Sequence, residues 1–254
     1  MLAPGTFDDR VAVVTGGGSG IGLAIAGELA RLGATVWLLG RTEVKLRAAC
    51  AEISAAGGRA EALALDVRDR DAVADAVAIV VERHGGIDHL VNSAAGNFRV
   101  APEEMSANAW DAVVQIVQYG TWHCTQLVGR HMIERGRGGS VLSIGSTMAR
   151  QGGPDTVHSA SAKAAVATMT RSLAAAWGPH GIRLNVLVPG TTAGTAGMAA
   201  LHGRAEAPED AIPLRRLGRR NELAHAATYL LSDHASYVTG AELVVDGGRS
   251  LGRL

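Results

Sequence analysis

Apolar and polar positions along the chain follow two different periods, and their succession predicts the order of secondary structure. Short runs rich in Val, Leu and Ile predict strands at 11–14, 34–39, 60–65, 89–92, 140–144, 183–187 and 242–245. Segments with apolar residues at helical spacing predict helices at 23–32, 43–56, 71–83, 108–135, 159–177 and 222–231. Strands that alternate with helices imply a doubly wound, seven-stranded parallel sheet flanked by helices, so the predicted fold class is α/β.

The chain shows no composition shift or long linker, so residues 1–254 are expected to form a single domain. Residues 204–220 contain two prolines and eight charged side chains. A long segment without regular structure in a compact domain is often a lid over an active site. We therefore predict a mobile segment there, within a substrate lid at 191–220.

Composition argues against several classes of partner. The chain has 254 residues, 47% of them hydrophobic, and a formal net charge of zero, which gives no reason to expect nucleic acid. No apolar run approaches the roughly 20 residues that span a bilayer, and the first residues do not resemble a secretory signal. Cys50 and Cys124 lie far apart and are expected to be free thiols, so a cytoplasmic location is predicted. No Cys/His spacing typical of a metal site is present.

Glycines directly after the first predicted strand indicate a nucleotide site. A tight turn of this kind lets the backbone approach a pyrophosphate, which then lies at the N-terminus of the following helix. A simple turn of small residues is the alternative, but the position between first strand and first helix disfavours it. The predicted contacts are Gly16, Gly18, Ser19, Gly20, Ile21 and Gly22.

The end of the second predicted strand indicates which dinucleotide is bound. An Asp or Glu usually holds a free ribose 2′-hydroxyl at this point, and the chain has Arg41 instead. A guanidinium suits a 2′-phosphate, so NADPH/NADP+ is predicted rather than NADH, with a solvated Arg as the alternative. Asp66 and Val67, which end the third strand, are expected on the adenine side.

Several short motifs occur in order along the whole chain. They are the glycine turn from Thr15 to Gly22, Asp66-Val67, Asn92-Ser-Ala-Ala-Gly96, Ser146, Lys163, Pro189-Gly190 and Tyr237-Val-Thr-Gly240. The sequence therefore resembles the short-chain dehydrogenase/reductase family, which implies a Rossmann fold and a nicotinamide cofactor. The resemblance also implies cofactor contacts at Asn92, Ala94, Gly96, Lys163, Pro189, Gly190 and Thr192.

Three stretches are similar to the 2,4-dienoyl-CoA reductases, particularly the peroxisomal type. They are Ala94-Ala-Gly-Asn-Phe98, Ser159-Ala-Ser-Ala-Lys163 and the glycine-rich stretch 189–198. The second stretch has Ser159 where the wider family places a Tyr, four residues before its Lys. The resemblance implies NADPH-dependent hydride transfer to a conjugated C=C bond of an enoyl or 2,4-dienoyl thioester linked to CoA. Such a reaction needs no proton at an alcohol oxygen, so the missing Tyr is interpreted as a mark of the subgroup.

This reaction needs a hydrogen-bond donor for the oxyanion that develops on the thioester. The resemblance does not assign the donor, because Met148 and Val117 stand where different relatives place Tyr and Asp. Tyr229 and Tyr237 are interpreted as core residues, which leaves Tyr119. We hypothesise that the Tyr119 phenol binds the oxyanion, with packing at a subunit contact as the alternative.

The remaining candidate residues surround Lys163, one of two lysines in the chain, which is predicted to hold the nicotinamide ribose. Ser146 matches the family's active-site Ser, and Ser159 is a further catalytic candidate. His158 is the nearby side chain that titrates near neutral pH, and it is interpreted either as a cap of its helix or as a proton donor. The predicted substrate contacts are Asn97, Phe98, Met148 and His158.

Two other functions stay open. The departures at Val117, Met148 and Tyr119 allow a reductase of another conjugated carbonyl, ketone or imine in a biosynthetic pathway. Absence of the family's full Ser-Tyr-Lys-Asn set allows an NADP(H)-binding sensor or scaffold with impaired catalysis. Relatives imply a homotetramer through the helices at 108–135 and 159–177 and the last strand. A basic cluster is interpreted as a solvated face, with the phosphates of CoA as the alternative: Arg215, Arg216, Arg219 and Arg220.

Overall fold

A parallel sheet of seven strands forms the centre of the molecule, which confirms the predicted α/β fold class. The structure is a computed structural model in which residues 2–195 and 208–251 are described. The strand order is β3-β2-β1-β4-β5-β6-β7. The order reverses between β1 and β4, and ligands of doubly wound sheets bind at such a point. The strands are β1 Val11–Thr15, β2 Thr35–Gly40, β3 Arg59–Ala64, β4 His89–Asn92, β5 Gly139–Ile144, β6 Ile182–Pro189 and β7 Glu242–Val245.

Helices connect consecutive strands and cover both faces of the sheet. The three that follow β1, β2 and β3 are α1 Gly20–Arg31, α2 Glu43–Ala55 and α3 Arg70–His84. Between β4 and β5 lie α4 Ala107–Val114, the π-helical turn Gln115–Tyr119 and α5 Gly120–Arg135. The remaining helices are α6 Met148–Gln151, α7 Val157–Trp177 and α8 Arg220–Leu231.

Alternate residues of the strands face two apolar layers. In β1, Ala12 and Val14 pack into a layer that contains α1, α2 and α8. Val11 and Val13 pack into the opposite layer, formed with α3, α5 and part of α7. Full burial of a single Val or Leu side chain stabilises a fold by about 1.5–3 kcal/mol, so these two layers hold the strand ends in place.

The predicted helix at 108–135 is interrupted. Five residues form a π-helical turn between α4 and α5, and such turns concentrate at functional sites. The apolar periodicity of the segment continues without Pro, so the sequence pattern does not reveal the interruption. The predicted helix at 159–177 also begins earlier, at Val157, which places His158 and Ser159 inside its first turn.

The predicted lid at 191–220 lies partly outside the described residues, as does the end of the 189–198 stretch. At its base, Thr192 pairs with Gly218, and the Ala193 N–H donates to the Gly218 carbonyl oxygen at 3.0 Å. Ile212 is buried. The described ends of the segment are therefore held together, and closure over a substrate stays a prediction.

Several smaller expectations are also settled by the fold. Cys50 and Cys124 are free thiols, as predicted. Tyr229 and Tyr237 were interpreted as core residues, and this is wrong: Tyr229 lies on the outer face of α8 and Tyr237 is fully exposed beyond it. Within the two described ranges, none of the helices is both long and apolar enough to cross a bilayer.

Candidate active site

The turn between β1 and α1 forms a backbone cradle for a phosphate group. Gly16 (φ 65°) and Gly20 (φ 60°) adopt left-handed conformations that favour glycine. A Cβ atom at Gly22 would lie 2.5 Å from the Gly16 carbonyl oxygen, so a side chain does not fit there. The Ser19 side chain makes no cap hydrogen bond to α1. The first N–H groups of this helix therefore suit an anionic ligand.

One hydroxyl holds the loop after β4 against this turn. Thr15 Oγ1 accepts hydrogen bonds from the backbone N–H groups of Ser93 and Ala94, at 3.0 and 3.1 Å. A Cβ atom at Gly16 would lie 2.9 Å from the Ser93 carbonyl carbon, so the two segments are closely packed. Thr15 therefore positions the loop after β4. It is part of the predicted glycine-turn motif, but the sequence alone does not reveal this role.

A cavity of about 520 Å³ opens at the carboxyl edge of the sheet, between this turn and the loop after β4. Its size is within the usual range for cofactor sites. The glycine cradle at its floor and the cations at its rim fit a dinucleotide. The predicted site residues that line it are Gly16, Gly18, Ser19, Gly20, Ile21, Arg41, Asp66, Val67, Ala94, Gly96 and Asn97.

Four predicted cofactor residues lie at strand ends without lining this cavity: Asn92, Pro189, Gly190 and Thr192. The buried Asn92 amide donates to Thr125 Oγ1 at 2.9 Å. Thr192 Oγ1 donates to the Gly190 carbonyl oxygen at 3.0 Å. A Cβ atom at Gly190 would lie 2.5 Å from Asp246 Cα. These contacts hold the strand ends, and direct cofactor contacts of the four residues stay predictions.

Two cations lie at the end of the cavity where the sequence predicts the adenosine. Arg41 is exposed at the rim, and Lys45, from the first turn of α2, lines the same end. The Asp66 carboxylate pairs with Arg68 at 2.7 Å, and this hydrogen bond is the main reason that the pKa of Asp66 is lowered. Lys45 is not among the residues predicted from the sequence, although its place four residues after Arg41, at the start of a helix, was the available signal.

Lys163 lies behind the other end of the cavity, where its side chain contacts the end of β5. Its Nζ donates a hydrogen bond to the carbonyl oxygen of Ile144, a residue that lines the cavity. The side chain is 7% exposed, and burial lowers the pKa of Lys163 to about 8. Its partner is a neutral carbonyl, and no salt bridge from the described part of the chain compensates the ammonium charge. A buried, uncompensated cation acts strongly on nearby developing negative charge.

Two serine side chains, Ser159 and Ser146, lie on α7 and after β5, the two elements that the Lys163 side chain connects. Ser159 is buried one helical turn before Lys163, on the same face of α7. Ser146 follows the end of β5, and its Oγ accepts a hydrogen bond from the Met148 N–H at 3.2 Å. The Ser146 hydroxyl proton remains available for donation. The contact between Lys163 and β5 brings these side chains to one end of the strand.

The catalytic role predicted for Tyr119 is not supported by its position. The side chain is 53% exposed, and its ring packs edge-on against His123 at a centroid distance of 6.4 Å. Val117, two residues earlier, is fully buried and packs with residues of α7. Two residues turn a helix by about half a revolution, so Tyr119 points away from α7 and Lys163. This exposure favours the alternative, a subunit contact.

His158 is completely buried in the first turn of α7. Its ring meets Phe98 edge-on at a centroid distance of 4.6 Å. Neither ring nitrogen meets strict hydrogen-bond geometry within the described residues, yet the Thr156 backbone at the start of α7 lies close enough to interact with the ring, so the choice between a helix cap and a proton donor stays a prediction. Burial lowers the pKa of His158, and the nearby Thr156 backbone opposes this only in part. The imidazole is therefore neutral at neutral pH.

The basic cluster at 215–220 does not converge on the cofactor cavity. Arg215 and Arg216 each pair with a carboxylate, at 3.5 and 2.7 Å, which favours a solvated face. Arg219 and Arg220 line a second cavity of about 610 Å³, between α1, α2 and α8. In residues 2–195 and 208–251, no group of three His, Cys, Asp or Glu side chains could hold a metal ion.

Comparison with known proteins defines the class. The profile of a family described as "Enoyl-(Acyl carrier protein) reductase" matches residues 16–250. A crystal structure of a short chain dehydrogenase from Bacillus anthracis superposes with a TM-score of 0.93 at 39% identity, covering 98% of this chain and 99% of that one. The chain therefore belongs to the short-chain dehydrogenase/reductase family, and the predicted resemblance is confirmed.

The curated relatives indicate a more specific class of oxidoreductase. A probable 2,4-dienoyl-CoA reductase from Bacillus subtilis (strain 168) is 39% identical over 249 residues, which cover 96% of this chain and 98% of the relative. A peroxisomal 2,4-dienoyl-CoA reductase from Danio rerio is 39% identical over 252 residues, covering 98% and 84%. The chain is thus an oxidoreductase of this family that is similar to 2,4-dienoyl-CoA reductases, with a nicotinamide cofactor implied by the family.

Proposed function

We propose that the protein is an NADPH-dependent reductase that transfers hydride to a conjugated C=C bond of a 2,4-dienoyl thioester carried by CoA. The relatives named above support this substrate class over nearly the whole chain. The observation that carries this proposal is the residue one helical turn before the buried Lys163. This residue is Ser159, whereas the wider family has a Tyr there. A site for alcohol oxidation needs an acid or base at the alcohol oxygen, whereas hydride addition to a C=C bond does not.

The preference for NADPH is supported by Arg41 and Lys45. Both line the end of the cavity where the adenosine is expected, and Arg41 rather than a carboxylate stands directly after β2; the nearest carboxylate, Glu43, pairs with Arg47. Two cations at this point favour a phosphate monoester over a hydroxyl. Substitution of both residues by Ala is expected to raise the KM for NADPH and leave that for NADH nearly unchanged.

The residues around the reacting centre have separate tasks. A bound NADPH supplies the hydride. Lys163 orients the cofactor and provides positive potential as the thioester oxygen becomes negative. The loop after β4, held by Thr15, forms one wall of the site and positions Asn97. Phe98, which packs between α4, the π-helical turn and α7, offers an apolar surface to the acyl chain.

Oxidation of the reduced cofactor, followed by its absorbance, tests this proposal. The purified protein is supplied with NADPH or NADH and with a 2,4-dienoyl-CoA, a simple enone or a ketone. We expect turnover with the dienoyl-CoA and NADPH, at a kcat/KM at least about tenfold above that for the other pairs. Turnover of the ketone or enone alone would point to another carbonyl reductase. Tight NADPH binding without any turnover would point to a sensor.

A further inference from the structure

The loop after β7, residues 246–251, packs against the carboxyl edge of the sheet. The Asp246 carboxylate accepts hydrogen bonds from the backbone N–H groups of Gly248 and Ser250, at 2.8 and 2.7 Å, and these bonds hold the loop in shape. A Cβ atom at Gly190 would lie 2.5 Å from Asp246 Cα, so the loop lies directly against the end of β6.

Side chains of this loop and its neighbours connect three segments around the candidate site. Arg249, which is half-buried, donates a hydrogen bond from Nη1 to Thr191 Oγ1. The Thr191 carbonyl oxygen accepts a hydrogen bond from the Gly218 N–H at 3.0 Å, at the base of the predicted lid. On the other side, Gln151 Nε2 donates to the Ser250 carbonyl oxygen at 3.0 Å. The loop after β7 therefore ties the chain after β6 to the chain after β5.

Thr191 follows the end of β6, beside the end of β5 that carries candidate catalytic groups. In these paired strands Leu187 lies opposite Ile144, and the Gly145 N–H donates to the Leu187 carbonyl oxygen at 2.8 Å. Lys163 Nζ donates to the Ile144 carbonyl oxygen. The residues after β6 therefore border the end of the site where the nicotinamide ribose is predicted to bind.

We propose that Arg249 is a positioning residue whose guanidinium holds Thr191, and through it the chain after β6, so that the nicotinamide of bound NADPH faces the reacting C=C bond. This inference rests on the proposed function. Hydride transfer depends steeply on geometry, and a misplacement of about 1 Å can lower a rate on the order of 100-fold. A guanidinium suits this task because it stays charged at all working pH values and makes stronger hydrogen bonds than a neutral donor.

The proposal separates catalysis from cofactor affinity. The glycine turn and the cations at the other end of the cavity are predicted to bind the pyrophosphate and the adenosine, and neither contacts Arg249. Loss of the Arg249 contact should therefore lower kcat more than it weakens NADPH binding. A residue that serves stability alone would change Tm without this split.

Two substitutions of Arg249 test the role of its guanidinium. Arg249→Met keeps an apolar stem without the donor, whereas Arg249→Lys keeps a charged donor. We expect kcat with NADPH and a 2,4-dienoyl-CoA to fall by about tenfold or more in Arg249→Met, and Arg249→Lys to recover at least about threefold of that loss. The Kd for NADPH, from fluorescence titration, should stay within about threefold of the wild type. A nicotinamide ring that is held still emits more strongly, so the emission of bound NADPH should fall in Arg249→Met.

A substitution of the acceptor tests whether Arg249 acts through Thr191. Thr191→Val removes the hydroxyl and keeps a β-branched side chain. Because two residues in one contact are not additive, we expect the double variant to be no slower than Arg249→Met alone. Losses in kcat that multiply in the double variant would overturn the proposal, since the two side chains would then act independently.

Arg59 provides a matched control. Its guanidinium also donates to a neutral oxygen, the Gly33 carbonyl, but it lies at the start of β3, at the opposite edge of the sheet. Arg59→Met should keep kcat and the emission of bound NADPH within about twofold of the wild type. An Arg249→Met enzyme with wild-type kcat and emission would overturn the assignment. If Arg249→Met does not fold, Arg249→Gln replaces it. A wild type inactive on dienoyl-CoA would refute the proposed function, while the emission of bound NADPH would still test the positioning role.

Discussion

At the scale of single residues, the ammonium of Lys163 links burial to catalysis. Burial lowers the pKa of Lys163 to about 8, so the group is charged below that pH and neutral above it. If its charge supports catalysis, kcat/KM for the dienoyl-CoA will be level at lower pH and will fall as pH rises through about 8. Lys163→Ala should lower kcat/KM by on the order of 100-fold and remove this alkaline fall. Initial rates from pH profiles measure both effects.

The other lysine of the chain is the control for this prediction. Lys45 lines the same cavity at the adenosine end, away from β5. Lys45→Ala should raise the KM for NADPH and keep the alkaline fall when NADPH is saturating. An alkaline fall that persists in Lys163→Ala would assign it to another group.

Many residues that line the candidate cofactor cavity could be predicted one by one, whereas the donor to the oxyanion could not. A glycine that needs a left-handed turn and a cation after β2 have local signatures, so Gly16 and Arg41 were found from sequence. The orientation of a side chain around a helix depends on helix regularity. The π-helical turn and the burial of Val117 decide where Tyr119 points, and no local pattern shows either. For the same reason, the complete burial of His158 is visible only after folding.

At the scale of elements, the glycines of the β1–α1 turn have two tasks. They allow close packing of the backbone, and they form the cradle predicted to bind the cofactor phosphate. A Cβ atom at Gly22 would lie 2.5 Å from the Gly16 carbonyl oxygen, closer than real contacts allow. Gly22→Ala is therefore expected to displace the cradle, to weaken NADPH binding by more than about tenfold and to destabilise the fold by about 1–3 kcal/mol. Fluorescence titration and urea unfolding measure the two effects.

Gly27, on the same helix, is the control. A Cβ atom there meets nothing within 4 Å. Gly27→Ala should leave NADPH binding unchanged and stabilise the fold by about 0.5–1 kcal/mol, because Ala restricts the unfolded chain and favours the helix. Equal losses in both variants would show that the helix, and not the close approach at Gly22, controls binding.

Strand and helix order follow from the sequence because burial in a parallel sheet produces long apolar runs. All seven strands occur where the pattern places them, and no boundary differs from the prediction by more than two residues. The helix across 108–135 shows the limit of this reasoning. Both a regular helix and one with a π-helical turn satisfy the same apolar stripe, and tertiary packing around Val117 chooses between them.

At the scale of the whole molecule, large aromatic side chains remain exposed along α4, the π-helical turn and α5. They are Trp110, Tyr119 and Trp122. Aromatic residues are enriched in protein interfaces, so several exposed aromatic side chains on neighbouring helical segments indicate a partner. The family resemblance implies a homotetramer whose contacts include the helical segment 108–135 and α7. We therefore expect these side chains to be covered by a second copy of the chain.

Trp122→Glu tests this assembly, because it places a charge in the centre of the expected contact. We expect the wild type to sediment as a tetramer and Trp122→Glu to shift to smaller species at micromolar concentration. Val44 is an exposed apolar residue on α2, on another side of the molecule, so Val44→Glu should leave the assembly unchanged. Tyr119→Phe should keep full turnover, since the phenol serves the contact and not the oxyanion. A tetrameric Trp122→Glu protein would place the interface elsewhere.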